Sequence, residues 1–498
     1  MGEIICLHIG QAGIQMGDAC WELFCAEHNL QPDGTIMPEK IPDDGIHKIF
    51  SQSSDKFVAR SVFIDLEPTC IDKVRTGPYK DLFDPKSFVA GKEDSGGLYT
   101  RGRTIGKELA DTVVAKIARE VDKCVSLQGF LIFNSINGGT GSGFGSQILS
   151  QLNQEYRKTP KFALSVFPSN RMSTSTVELY NAVLSIYRLA EELDVVIPFE
   201  NEKLYNICTT QLDIERPTYS NINRLIAQTA SSLTVPSRFE GPLSMSLREI
   251  FHTLVPYPHL KYIMHSYSPL IPAHKILTEE PPTISSITDG AFIQENCMID
   301  ADLSKGQYIA AAALYRGDVS IKDAQEALTR KRKDKKAKFI RWFPTGFKIG
   351  INSQPPIGGS DMGKVSRALS LFSNSNAFAS RLTSLTNKFD KMHSKQAFKH
   401  WLIEGLEDFE LEEARDRVLR HASDYQTAYH EEDSAEEVEE VEKPQQMDKS
   451  QSGSEKELST SKNELAKDEP EGAELDQQQS QEGDADNNQP NADDNDEI

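Results

Sequence analysis

Strands alternating with helical stretches through the first 200 residues, glycine turns closing two of those strands, and a change to mixed text after residue 216 predict an α/β protein. The expected architecture has four parts. A Rossmann-like, mostly parallel, doubly wound sheet spans residues 1–200, and a core helix with a second α/β domain spans 201–362. A C-terminal helical layer follows over 363–430, then a disordered acidic tail over 431–498.

Glu3 to Ile9 is a short apolar run ending in Gly10-Gln11-Ala12-Gly13, after which Trp21, Leu23 and Phe24 follow a helical pattern. That order reads as strand, glycine turn, helix. Ser61 to Asp65 is a strand leading into Leu66-Glu67-Pro68, and Phe130 to Phe133 is another, followed by a second glycine run and a helix from about Phe144. Phe162 to Phe167 and Val195 to Pro198 complete the set. A helix is expected from Arg216-Pro217 to about Leu233, with proline at its start because the missing N–H is not needed there. Proline-rich loops follow (Pro256 to Pro272, Pro281-Pro282), with strands near Tyr308–Tyr315 and Lys348–Ile351 and a helix near Asp323–Thr329. From about Gly363 to Tyr425 helical spacing dominates.

Charge is concentrated at one end of the chain. Of 54 Lys+Arg and 75 Asp+Glu, five basic and 24 acidic residues fall within 431–498, so a tail of net −19 follows a nearly neutral body. The tail has no Phe, Trp or Tyr and cannot bury enough apolar area to offset ordering entropy. Such a tail repels nucleic acid and anionic membrane and suits cationic partners. Seven scattered cysteines without a C-x-x-C pair indicate neither a disulfide framework nor a zinc site, and fit a reducing cytosol. No run of 18 apolar residues is present, and Met1-Gly2 lacks the Ser or Thr that myristoylation wants where Cys6 stands, so no membrane attachment is expected. The basic run from Arg330 to Lys338 lacks interleaved aromatics and reads as a solvated face or a contact for an acidic partner, not a nucleic-acid site. The histidines show neither metal spacing nor a Ser/His/Asp arrangement.

The strongest local signal is Asn137-Gly138-Gly139-Thr140-Gly141-Ser142-Gly143 between a strand and a helix. Such a run lets backbone N–H groups converge on an anion at a helix N-terminus. It is not a Walker A loop, since no Lys-Ser/Thr follows, and on its own it also reads as a flexible connector. The turn after the first strand strengthens the phosphate reading, because turns at the ends of neighbouring parallel strands share one edge. Asp94-Ser95-Gly96-Gly97 adds a third turn. Asp65 and Glu67, two apart near such a cradle, suit a hydrated Mg²⁺, although two solvated turn residues would look the same. Tyr219 and Asn223 are four apart on one helix face, so a ring can stack on a purine while an amide reads its edge.

Together these pieces resemble the tubulin family, and within it the α subunits. The resemblance covers residues 1–430 almost without interruption. It is carried by Gly10 to Gln15, Cys20 to Leu23, Asp65 to Thr69, Val74 to Gly77, Gly91 to Asp94, Gly138 to Gly143, Leu212 to Tyr219, Leu254 to Pro258, Tyr315 to Asp318 and Trp342 to Phe347. Three places favour α: Glu249, where β subunits carry Lys; the long loop Gln354 to Lys364, which in α fills the pocket that binds taxane drugs in β; and Lys40, in a segment resembling the acetylated loop.

The resemblance implies GTP and Mg²⁺ as cofactors. GTP would be held by Gln11, Ala12, Gln15, Asp94, Ser135, Gly138, Gly139, Thr140 and Gly141, with Glu67 holding Mg²⁺. Ser173, Thr174 and Glu178 would lie by the ribose, and Asn201, Tyr219 and Asn223 would select the guanine. It further implies pairing with β-tubulin in cytoplasmic microtubules, burying a GTP that is not exchanged, while Glu249 acts in trans as the catalytic residue on the next β subunit's GTP. Glu-rich runs such as Glu436-Glu437-Val438-Glu439-Glu440 resemble tails that recruit motors and microtubule-associated proteins. Asn137, Gly97 and Ser246 depart from the family's usual Gly, Asn and Asp, and the tail is longer and ends in Ile498, not Tyr. Two rivals are a non-lattice regulator with the same fold, and a nicotinamide-dependent dehydrogenase. The second needs an acid at the next strand's end about 20 residues past the first turn, and the nearest acid, Glu27, lies inside the predicted helix.

Overall fold

The structure, a computed structural model, describes residues 2–430 apart from 174, 277, 279, 335–336, 360, 403–405 and 407. The expected disordered tail and the proposed ribose residue Thr174 therefore lie outside the described residues, as do Lys335 and Lys336 of the basic run.

The first half of the chain runs β1 (Glu3–Ile9), α1 (Gly10–Glu27), the hairpin of β2 (Phe50–Ser53) and β3 (Lys56–Ala59), β4 (Ser61–Asp65), α2 (Pro68–Thr76), β5 (Phe88–Ala90), α3 (Tyr99–Asp122) and β6 (Leu127–Ser135). It continues through α4 (Gly145–Glu155), β7 (Lys161–Phe167), α5 (Glu178–Glu192), β8 (Val195–Glu200) and α6 (Asn201–Thr210). Six of these strands form one parallel sheet in the order β5-β4-β1-β6-β7-β8. All seven residues of β1 are buried, as a parallel strand covered on both faces requires. Ile4 and Cys6 pack on the α1 side with Trp21 and Phe24, whereas Ile5, Leu7 and Ile9 pack on the opposite face with α3, α4 and α5. His8 lies between Phe63 and Phe133, accepts from Trp21 Nε1 at 3.0 Å, and is kept neutral by burial, which lowers its pKa to about 3.

The second half runs α7 (Tyr219–Arg238), α8 (Leu247–Leu254), β9 (Met264–Ser268), α9 (Ile284–Ala291), β10 (Tyr308–Gly317), α10 (Ile321–Lys333), β11 (Phe347–Asn352), β12 (Arg367–Ser375), α11 (Phe378–His393) and α12 (Asp408–His430). A mixed sheet has the order β11-β10-β12-β9. Two expectations are corrected here. The core helix starts at Tyr219, not at Arg216-Pro217, because Thr218 takes the cap position and its N–H donates to Asn221 Oδ1 at 2.7 Å; it then runs beyond Leu233 to Arg238 with Pro236 inside. The stretch from Gly363 does not open as helix either: β12 completes the second sheet, and helix begins only at Phe378. α12 closes over β9's approach, where Tyr262 N donates to Tyr425 Oη at 2.9 Å. Part of the basic run is satisfied internally, with Arg330 and Lys331 on Asp289 at 3.0 and 3.1 Å.

Glu27, the last residue of α1, is fully buried between two guanidiniums. Arg238 from the end of α7 meets Oε2 at 2.7 Å, and Arg316 from the end of β10 meets Oε1 at 2.8 Å. Ser231 Oγ donates to Oε1 at 2.6 Å and receives Arg316 Nη1 at 2.9 Å. This cluster ties the parallel sheet's first helix, the core helix and the second sheet together. It also counts against the dehydrogenase reading, because the nearest acid after the first turn is buried in an ion cluster and not displayed at a strand end. Burial pushes the Glu27 carboxyl up, but Arg238, Arg316 and Ser231 outweigh it and hold the pKa at about 2.

Candidate functional site

Every strand of the parallel sheet delivers a predicted site residue at its C-terminal end. Asp94 follows β5, Glu67 follows β4, Gln11 follows β1, the 138–141 run follows β6, Ser173 and Glu178 follow β7, and Asn201 follows β8. Open parallel sheets bind ligands along this edge.

Gly10 makes the turn from β1 directly into α1 at φ +74°, a conformation that favours glycine, and its backbone lies against Gly141, where an added Cβ would stand 3.1 Å from the amide nitrogen. Gln11 is exposed at the rim, with Ala12 and Gln15 half-buried behind it. After β6 the chain makes a π-helical turn, Thr140–Phe144, before α4. Asn134 Nδ2 donates to Gly141 O at 3.2 Å and Ser165 Oγ donates to Asn134 Oδ1 at 2.6 Å, fixing this turn from the sheet side. Ser135 is half-buried at its entrance, and its hydroxyl receives the Asn137 N–H at 3.3 Å. The Asn137 side chain is buried, with Oδ1 lacking a partner among the described residues, while a Cβ built on Gly138 would meet nothing within 4 Å.

The third turn packs directly on this one. A Cβ on Gly139 would lie 2.6 Å from both Leu98 O and Ser95 Oγ, and Ser95 Oγ is 3.4 Å from Thr140 Oγ1. Asp94 is exposed, but Oδ2 accepts the Gly96 N–H at 3.0 Å. Both Gly96 and Gly97 have positive φ.

The two carboxylates after β4 have different environments. Asp65 is buried; burial raises its pKa to about 6 against the pull of the Leu66 and Glu67 amides and the Thr140 hydroxyl. Glu67 is exposed and accepts from Thr69 Oγ1. An exposed carboxylate at the lip of an amide cradle fits a cation shared with phosphate oxygens. Among the described residues no group of three or more His, Cys, Asp or Glu could hold a metal ion.

At the far end of the edge, Asn201 opens α6 and Glu178, buried, opens α5. Ser173 is exposed and donates to Ser175 O at 2.8 Å. Tyr219 is 53% exposed and meets Tyr205 edge-on at 6.2 Å, leaving a face open; Asn223, one turn on, is 9% exposed. Neither the Asn201 nor the Asn223 amide bonds another group among the described residues, so both can receive a ligand.

Glu249 stands apart. It is exposed in the first turn of α8, and Leu247 beside it reaches within 3.7 Å of a Cβ built on Gly129, at the N-terminal end of β6. The cradle follows the other end of that strand, about 20 Å away at the usual strand rise. Glu249 and Ser246 form a reciprocal cap: Glu249 N donates to Ser246 Oγ at 3.2 Å, and Ser246 N donates to Glu249 Oε2 at 3.4 Å.

Sequence reasoning missed Asn134 and Asn181. The available signal was a polar amide inside each apolar pattern, Phe130 to Phe133 followed by Asn134, and Asn181 within α5. Among the described residues, no helix is long and apolar enough to cross a membrane. In comparison with known families, the model for the Tubulin/FtsZ family, GTPase domain, matches residues 3–209, and that for the tubulin C-terminal domain matches residues 258–388.

Proposed function

From the premise that this chain, carrying both of those domains, is a tubulin-family protein, we propose that it is an α-like subunit that binds Mg-GTP and stacks with β-tubulin into microtubules. The GTPase domain itself implies GTP binding. Under this reading the phosphates lie in the cradle of Gly10 to Ala12, Ser95 to Gly97 and Gly138 to Gly141, with Glu67 on Mg²⁺. Ser173 and Glu178 face the ribose, and Asn201, Tyr219 and Asn223 take the guanine. Mg²⁺ would supply charge neutralisation on the phosphates, while the backbone amides orient them.

The observation that carries the reading is the placement of Glu249 at the opposite end of β6 from the cradle. At that distance it cannot reach a nucleotide bound to its own chain. In this reading it serves a site presented by a neighbour stacked head to tail, an arrangement that generates filaments. There it would orient a water for attack on the neighbour's γ-phosphate, as water-positioning residues do in other GTPases. The filled state of the loop Gln354 to Lys364 also favours the α side: Asp361 is held by Arg224 at 2.7 Å and Asn221 at 2.8 Å, and Ile357 O accepts from Gln228 at 2.6 Å.

Co-expression with β-tubulin is expected to yield a heterodimer with stoichiometric GTP, read by chromatography of the released nucleotide; a nucleotide-free monomer would overturn the proposal. Glu249→Ala is expected to leave dimers and copolymerisation intact while slowing hydrolysis in the polymer by about 100-fold, the low end for a positioned base. Ser246→Ala is expected to cost about 1 kcal/mol of α8 stability, a typical cap loss, and to free the carboxylate, so polymer hydrolysis should not fall with it.

A second reading, a non-polymerising regulator, is favoured by that same Ser246–Glu249 cap, which engages the carboxylate within its own helix. Continuous filament labelling by a tagged copy excludes it. The acidic tail, in either reading, recruits cationic partners by charge, so their affinity should fall steeply with salt. Removing residues 431–498 without changing any partner's affinity would refute that role.

A further inference from the structure

Asn181, in the first turn of α5, is completely buried beneath the cradle and uses both ends of its amide. Nδ2 donates to Gly97 O at 2.7 Å and to Asn137 O at 2.8 Å, while Oδ1 accepts the Tyr99 N–H at 3.0 Å. One side chain therefore bolts the third glycine turn and the phosphate-type turn to each other and to the helix opened by Glu178. The two bonded carbonyls belong to loop peptides that no sheet or helix ladder holds.

A trans peptide is planar, so its N–H points opposite to its C=O. With Asn137 O drawn down onto Asn181, the Gly138 N–H of the same peptide is turned away from Asn181. Among the described residues that N–H bonds nothing, and the space beside it is open, since a Cβ on Gly138 would meet nothing within 4 Å. We propose that Asn181 is a positioning residue that fixes the 137–138 peptide with its N–H facing the bound phosphates, and so couples the order of both turns to phosphate recognition. The inference rests on the reading of this edge as a GTP site and assigns its phosphate selectivity to a residue that touches no ligand.

The test uses the full chain as wild type, Asn181→Leu and Asn181→Asp. Leucine removes both donors and the acceptor at similar volume. Aspartate keeps the acceptor for Tyr99 N but sets a carboxylate against two carbonyl oxygens. Binding of GTP and of guanosine, which lacks phosphate, is measured by calorimetry, together with hydrogen exchange of the unliganded chain. For Asn181→Leu, GTP affinity is expected to fall roughly tenfold or more, the worth of one lost hydrogen bond to a charged group, with guanosine affinity unchanged. Aspartate should cost GTP at least as much. Exchange should quicken at Tyr99 and through 135–143 while the second sheet keeps its protection. Equal losses for GTP and guanosine, or unchanged exchange in those turns, would overturn the proposal. If the leucine variant proves insoluble, Asn181→Ser, with one donor for two acceptors, is expected to give the same selective loss at smaller amplitude. A wild-type chain that binds no guanine nucleotide would sink the functional reading itself, and the exchange arm would still decide whether Asn181 orders the turns.

Discussion

Glu27→Ala is expected to destabilise the chain by about 3–5 kcal/mol, the cost of leaving buried charge without its partner. Two guanidiniums, Arg238 and Arg316, would then face each other across the vacated position with only Ser231 between them. Because the three residues come from α1, α7 and β10, the loss should appear as one cooperative shift of the urea or thermal transition and not as fraying of one domain. Unchanged stability would mean that water reaches the cluster and solvates the arginines. The same carboxylate predicts an acid dependence with a definite sign. Its folded pKa of about 2 is below the ordinary 4.5, so the folded state binds fewer protons over that interval. The stabilisation is fully present above pH 4.5 and is lost as pH falls through 2. Glu27→Gln should therefore show a flatter acid limb, its curve approaching that of the wild type at the lowest pH.

Adjacent glycines should give opposite patterns. For Gly138→Ala the new methyl meets no neighbour within 4 Å, so folding stability should stay within about 0.5 kcal/mol of wild type. The methyl nevertheless occupies the open space of the cradle, and GTP affinity should fall at least about tenfold, or 1.4 kcal/mol. For Gly139→Ala the methyl would stand 2.6 Å from Leu98 O and 2.7 Å from Leu98 N, against backbone that cannot rotate away. Here stability should fall as well, by about 1–3 kcal/mol, as overpacking does, and the third turn should be pushed off the cradle. Calorimetric GTP binding beside a thermal melt separates the two. If Gly138→Ala binds GTP as tightly as wild type, the phosphates are not at this turn.

The sequence carried the parallel sheet well because its signals are local: buried apolar runs such as Phe162 to Phe167, each closed by a turn. It carried the positions of the glycine turns for the same reason, since Gly10 and Gly138 to Gly143 stand where strands end. What it did not carry depends on partners distant in the chain. β12 looked helical because a strand buried in a mixed sheet, Ala368 to Phe372, has no alternation to betray it. The start of α7 was misjudged because Pro217 is a strong local signal, and the Thr218–Asn221 bond that sets the boundary is a choice among several possible caps. The role of Asn181 was invisible because its three bonds reach back 44 to 84 positions. Glu249 could be named from its surroundings, but its remoteness from the cradle required the sheet to be assembled.

The closed loop over α7 has a pharmacological corollary. With Ile357 and Asp361 fastened to the helix, the space left among Ala19, Leu23, Leu225 and Met362 is about 90 Å³. Drug-sized molecules need cavities of roughly 300 Å³ or more. On the α-like reading proposed above, a bulky ligand would first have to break the Arg224–Asp361 pair and peel Ile357 away, so this recess should resist compounds of that size.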